Sequence, residues 1–284
     1  MTVLVVNTAE DVVSENDGKL SLREAVAQAA GSGKHMEIRF DPGAFDGHIP
    51  LELTHTLEIP GGTNITIDGT LDWPDAKAFI QSTVDGQNLL TVSAGATVVL
   101  RDFQLGRQFG GIVPVTGGPG GEGSNGAAGE NGESFGELPS GYGTGESGTD
   151  AGDGADAPLD AGTGTLAVGG VINRGTLILE RVDFIGLGAV GGNGGNGGSG
   201  GQGGQGGYGS NAAEDSLETG GGGDGGDGGD GARGGDGGGA VAAIYNAGNL
   251  TVRDVTFSAL SAEGGDGSGG GDGGSGGKGG DFGS

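Results

Sequence analysis

Residues 191–209 read GGNGGNGGSGGQGGQGGYG. Asn193, Asn196, Ser199, Gln202, Gln205 and Tyr208 stand three apart, with glycine pairs between them. Asp224, Asp227, Asp230, Arg233 and Asp236 keep the same phase in 221–239, where Ala232 is an interruption. Asp266, Asp272, Ser275, Lys278 and Asp281 keep it again near the end of the sequence. In 117–134 glycine recurs at 117, 120, 123, 126, 129 and 132, with mixed residues between. A flexible linker has no reason to hold phase. Three residues per turn is the polyproline II geometry, which has no internal hydrogen bonds. A glycine version, polyglycine II, leaves two bare faces on which neighbouring helices can exchange N–H···O=C bonds. Tracts 191–209 and 221–239 are equally long, roughly 59 Å at ~3.1 Å per residue. The spacing predicts that they form an antiparallel hairpin turning at 210–220, and that 117–134 and 145–164 form another turning at 135–144.

Composition tests the rivals. Disorder is the main one, because ordering glycine costs entropy. Collagen needs proline in G-X-Y, and 76 glycines accompany only 8 prolines. Gly225–Ala232 mimics a calcium-binding nonapeptide, but alanine stands where a large apolar residue belongs. Asp224, Asp227, Asp230 and Asp236 are weak candidate metal ligands. At three-residue spacing neighbouring ones are ~9 Å apart, too far to chelate one calcium together. The sequence demands no cofactor, and weak calcium bridging between neighbouring helices is the one option left open. The formal net charge of −26 disfavours nucleic acid and anionic membrane as partners. Cysteine is absent, which removes disulfides and thiolate metal sites. No apolar run reaches the ~20 residues of a membrane span. The opening MTVLVVNTAEDVV lacks the basic and apolar regions of a secretory signal and reads as a first strand.

Residues 1–110 read as a cap and first rungs. Ser21 and Glu24 form a capping box, and Leu22, Ala25, Val26 and Ala29 make one apolar stripe, predicting a helix. Short β-like runs follow, bounded by turn residues. The expected plan is a Gly-rich insert at 111–164, a rung at 165–190, a glycine hairpin at 191–239, a rung at 240–262 and a glycine tract at 263–284. The rungs repeat one another: Asn173, Gly175, Leu177, Leu179, Val182 and Phe184 match Asn246, Gly248, Leu250, Val252, Val255 and Phe257. Val98, Leu100, Phe103 and Leu105 form a more distant copy. One such unit cannot bury its apolar face, but stacked units can. The polar corners form columns: Arg101, Glu180, Arg253 and, beside them, Asp102, Arg181, Asp254. Signs alternate along each, so Asp102 and Asp254 read as stacking partners more than as catalytic carboxylates. Asn173 and Asn246 are expected to stack at another corner.

The stretch LSLREA (Leu20–Ala25), after ENDG (Glu15–Gly18), resembles the CSLREA domain, with leucine at the cysteine position. The resemblance covers about 3–110 and the two later blocks. It implies a bacterial surface or secreted protein with a right-handed parallel β-helix. The glycine tracts are similar to the glycine-helix bundles of the snow flea antifreeze protein and of some phage tail-tip adhesins. The fold expectation is therefore all-β: a right-handed parallel β-helix solenoid, an N-terminal capping α-helix, and a polyglycine II bundle formed by insertions between rungs. The functional expectation is an extracellular, non-enzymatic structural protein that assembles with itself into a fibre, matrix or surface layer. The alternative is a monomeric adhesin touching a receptor or glycan through Phe135, Tyr142 and Leu217. A polysaccharide-acting enzyme and an ice-binding protein rank below both.

Overall fold

The computed structural model describes residues 2–14, 17–45, 50–71, 77–82, 86–106, 114–134, 149–209 and 221–281. The two expected turns, 135–144 and 210–220, and Glu15 lie outside them. The chain divides into two units, each built from separated segments. One comprises 1–117, 166–191 and 239–264; the other comprises 118–165, 192–238 and 265–284.

The first unit is almost entirely strand, with one helix, Leu22–Ser32. Its longest sheet runs Thr2–Val6, His35–Phe40, Asn64–Asp68, Thr97–Arg101, Thr176–Glu180, Asn249–Arg253. A second sheet joins Leu51–Leu53, Ala78–Ser82, Phe103–Gly106, Asp183–Ile185 and Thr256–Ser258. A third joins Leu57–Ile59, Leu90–Val92, Val171–Asn173 and Ile244–Asn246. Pairing within these sheets is parallel; Thr2–Val6 and His35–Phe40 pair directly across the helix, and from His35–Phe40 onward chain-adjacent strands of these three sheets sit in different sheets, so each pairs with its counterpart one cycle away. Parallel sheets with so little helix fit an all-β parallel solenoid.

The register explains the apolar pattern. Val98, Leu177 and Leu250 stand in line, as do Leu100, Leu179 and Val252. Val98, Leu177, Leu179, Val182 and Phe184 are each fully buried. The last cycle differs. Val252 is 47% exposed and Phe257 52% exposed, because no further strand covers them among the described residues. Phe257 keeps one partner, stacked on Phe184 at 5.2 Å.

At the other end the helix packs on Thr2–Val6, His35–Phe40 and Leu57–Ile59. Its buried stripe is Leu22, Ala25, Val26 and Ala29. Ser21 Oγ accepts from Glu24 N–H and donates to Val12 O at 2.6 Å, while Glu24 accepts from Ser21 N–H and Ser14 N–H. Arg23 donates to both Asp11 oxygens and to the His55 and Thr56 carbonyls. SLRE thus caps the helix and ties it to two loops.

The skip between each strand pair is a left-handed residue: Asp102, Arg181 and Asp254 have φ of 56°, 53° and 51°. Aspartate visits this region more readily than most side chains. Arginine is less at home there and is held by a two-pronged bond to Asp102.

The second unit consists of five extended legs: leg 1 (118–134), leg 2 (149–165), leg 3 (192–209), leg 4 (221–238) and leg 5 (265–281). In each triplet we call the non-glycine phase x, followed by a first and a second position. Second-position N–H groups donate to second-position carbonyls of the preceding leg, which runs antiparallel: Gly152 to Glu130, Gly195 to Gly162, Gly226 to Gly204, Gly271 to Ala232. First-position N–H groups donate to x carbonyls two legs on, which run parallel: Gly126 to Ser199, Gly154 to Asp227, Gly200 to Asp272. One rule generates the unit, and every third residue serves the same neighbour.

Candidate functional site

The legs show where glycine is favoured; leg 2 carries Ala151, Ala157 and Ala161 at first positions, which are glycine in the other legs. None of the described leg glycines has a positive φ, so the requirement is space and not dihedral freedom. A side chain at a first position would point at the next leg: at Gly126 it would overlap Ala155 O, at Gly200 Gly229 O, at Gly228 Gly274 O. A side chain at a second position would point two legs back: at Gly201 it would overlap Ala127 O, at Gly229 Ala155 O, at Gly274 Gly201 O. Legs 1 and 2 have nothing two legs back among the described residues. Their second positions accordingly hold Ser124, Ala127, Glu130 and Glu133, then Thr149, Ala155 and Thr165.

The x residues do a second job. Their side chains accept the x N–H of the leg two on. Asn125 accepts from Ser199 at 2.9 Å and Asn131 from Gln205 at 2.9 Å. Asp150, Asp153 and Asp156 accept from Asp224, Asp227 and Asp230, each at 2.8 Å. Short Asn and Asp side chains reach this donor, which accounts for their frequency. Leg 1 has a gap: Ala128 stands opposite Gln202, whose N–H has no acceptor among the described residues. Ala128→Asn should supply one and raise stability by about 0.5–1.5 kcal/mol. A thermal melt of the variant against the parent checks this.

Leg 2 carries one extra residue. Ala157 and Ala161 donate to Asp230 and Arg233, so four residues of leg 2 span three of leg 4. Ala155 and Gly162 donate to Ala127 and Gly121, seven residues against six. The surplus falls at Pro158–Leu159, where proline has no N–H to donate. On leg 4 that stretch faces Ala232, a buried side chain at a second position. The extra residue breaks the run of carbonyls that would otherwise meet its methyl group.

The four acidic metal candidates are spread along leg 4. Among the described residues no three His, Cys, Asp or Glu side chains come together as a metal site. Asp236 lies 4.0 Å from Arg233.

In the first unit, Glu180 bridges Arg101 and Arg253, at 3.2 Å to each. The column extends beyond the residues singled out in the sequence, because Asp68 meets Arg101 at 3.5 Å and Arg39 stands in register with Asp68. In the neighbouring column Arg181 Nε and Nη2 donate to the two Asp102 oxygens at 2.7 Å. Asp254 has no ion-pair partner among the described residues, so the expected third member of that column stands apart. Asn173 is fully buried. Its Nδ2 donates to Asn246 Oδ1 at 2.6 Å and its Oδ1 accepts from Gly175 N–H at 3.1 Å.

The Arg181 guanidinium holds the Asp102 carboxyl below the usual range, against some burial, with help from Thr70. Burial would raise Asp11 and Asp183, but Arg23 and Thr54 for the one, and Lys77 and Thr256 for the other, outweigh it and leave both lowered. A depressed carboxylate contributes stability above its unfolded value, and that stability is lost as pH falls through the folded value. Asp102→Asn should therefore cost about 0.5–1 kcal/mol at pH 7, since Arg181 is half exposed. The gap in melting temperature to the parent should persist down to pH 5 and close below 3.8. Melts of both proteins across this range check it.

A surface groove of about 530 Å³ is lined by Val5, Arg39, Phe40, Asp41, Pro42, Asp68 and Thr70. Its charged groups are engaged: Arg39 with Glu37, Asp68 with Arg101, and Asp41 with the Gly43 N–H. Among the described residues no helix is long and apolar enough to cross a membrane. Phe135, Tyr142 and Leu217 lie outside the described residues. No known protein family, curated protein or solved structure matches the chain.

Proposed function

We propose that this is an extracellular structural protein without catalytic activity that assembles with itself through β-helix stacking and polyglycine II packing. On this reading the first unit is a right-handed parallel β-helix, and the second is a bundle of polyglycine II helices. Support for polyglycine II comes from the period-three bonding between legs and the negative φ of their glycines. Support for a CSLREA-type cap, and with it a surface or secreted bacterial protein, comes from the structural work done by Ser21, Arg23 and Glu24. The engaged charges of the groove favour a non-enzymatic reading.

The observation that carries the proposal is that each unit has an uncovered edge among the described residues. Val252 and Phe257 are exposed where Leu179 and Phe184 are buried. In leg 5 the first-position N–H groups have no partner among the described residues, whereas those of leg 3 are bonded. Uncovered apolar rungs and open backbone edges recruit further chains. A fibre, matrix or surface layer follows. Electron microscopy and sedimentation over a wide concentration range, with and without calcium, test it. Concentration-dependent assemblies are expected. Monodisperse particles under all conditions would overturn the assembly reading and favour a monomeric adhesin.

A further inference from the structure

Leg 5 holds a set of glycines that its own surroundings do not require. Its first positions are Gly267, Gly270, Gly273, Gly276 and Gly279. A side chain at Gly270, Gly273, Gly276 or Gly279 would come no nearer than 3.3–3.7 Å to its neighbours. Where leg 1 has a free face, the sequence keeps glycine at Gly121 but drops it at Ser124, Ala127, Glu130 and Glu133. Leg 5 keeps glycine on its free face without exception from 267 to 279.

The open hydrogen bonds follow the same logic. Among the described residues, three sets of groups at this edge are unpaired. They are the first-position N–H groups of leg 4 (Gly225, Gly228, Gly231, Gly234), the second-position carbonyls of leg 5 (Gly271, Gly274, Gly277), and the Asp224, Asp227 and Asp230 carboxylates as N–H acceptors. In the finished layers these sets serve, respectively, the x carbonyls, the second-position N–H groups and the x N–H groups of one incoming leg. We propose that the edge formed by legs 4 and 5 is a docking surface for one further extended GGX segment, running parallel to leg 4 and antiparallel to leg 5. The surface continues the leg-on-leg interface already present four times within the unit.

A second folded copy does not fit. Within a folded copy only leg 1 has several second-position N–H groups to spare, at Gly121, Ala127 and Glu130, since those of the later legs are bonded backward except at Gly198 among the described residues. Leg 1 seated there would aim Ser124, Ala127, Glu130 and Glu133 at the leg 4 carbonyls, whereas the described second positions of legs 3 to 5 carry nothing larger than Ala232 and Ser268. The occupant is therefore an extended segment, with glycine at its second positions and freedom at its first. This deepens the assembly reading, and rests on it only in taking the open edge as the working surface.

The probe is a labelled peptide with the sequence of residues 221–239, carrying Gly in place of Ala232, titrated with the full chain. Binding is expected. A peptide with alanine at the phase of Gly225, Gly228 and Gly231 should bind within about twofold of the parent. A peptide with alanine at the phase of Gly226, Gly229 and Gly235 should bind at least ~10-fold more weakly. The double variant Gly273→Ala, Gly276→Ala of the protein should lose the peptide to the same extent while melting at no lower temperature. No binding, or equal loss for both peptide phases, would overturn the proposal. So would self-association of the chain that depends on Glu130 and Glu133, which would make a folded copy the occupant. Phase-specific binding by a chain that stays monodisperse alone would uphold the docking surface and count only against self-assembly.

Discussion

Phe184→Ala should cost the first unit about 3–5 kcal/mol, the usual range for deleting a fully buried aromatic ring. Phe184 is 0% exposed. It sits between Leu105 and Phe257 in the register of its sheet, so its loss leaves a hole with a neighbour on each side. Phe257→Ala removes the same side chain one cycle later and should cost under ~1.5 kcal/mol, because half of that ring already faces water. The main interaction it gives up is the stack on Phe184. Urea titration of both variants measures the pair. Equal costs would contradict the open last cycle.

Gly200→Ala should destabilise the glycine unit by at least ~1–3 kcal/mol, while Gly273→Ala should stabilise it by ~0.4–1 kcal/mol. The substitution is the same and the phase within the triplet is the same. At Gly200 the new methyl group would overlap Gly229 O, and backbone cannot swing aside as a side chain would. At Gly273 the nearest atom is Gly229 O at 3.7 Å, an ordinary van der Waals separation. What remains there is the entropic gain from restricting the unfolded chain. Thermal melts decide between the signs. Two small losses of similar size would mean that the legs do not pack as described.

Much of this was legible locally. Leu177–Phe184 and Leu250–Phe257 repeat because parallel pairing puts like positions in line, and a period written into each copy needs no knowledge of the partner. Ser21 and Glu24 announce a helix start within four residues. The glycine period also showed without the structure. What did not show was the division of labour between the two glycines of each triplet. That depends on which leg lies next and which lies two back, about 73 residues away. Arg39 and Asp68 did not show either, because the strands that carry them do not read as copies of the repeats that hold the later members of their charge column. The extra residue at Pro158–Leu159 looked like irregularity until its register against legs 1 and 4 gave it a counterpart in Ala232. Asp254 was expected in a charge column from its place in the repeat; like Asp102 and Arg181 it takes the left-handed corner, but without an ion pair among the described residues.

Residue-resolved hydrogen exchange of leg 5 tests the central claim most directly. Gly271, Gly274, Gly277 and Gly280 donate to Ala232, Gly229, Gly226 and Gly223. Gly270, Gly273, Gly276 and Gly279 donate to nothing among the described residues. Chemically identical neighbours in one tract should therefore alternate between slow and fast exchange with a period of three. In leg 3, where both glycines of each triplet are bonded except at Gly198, both should be slow apart from that one. Uniformly fast exchange through 192–209 and 265–281 would contradict the account, because it would return these tracts to flexible chain.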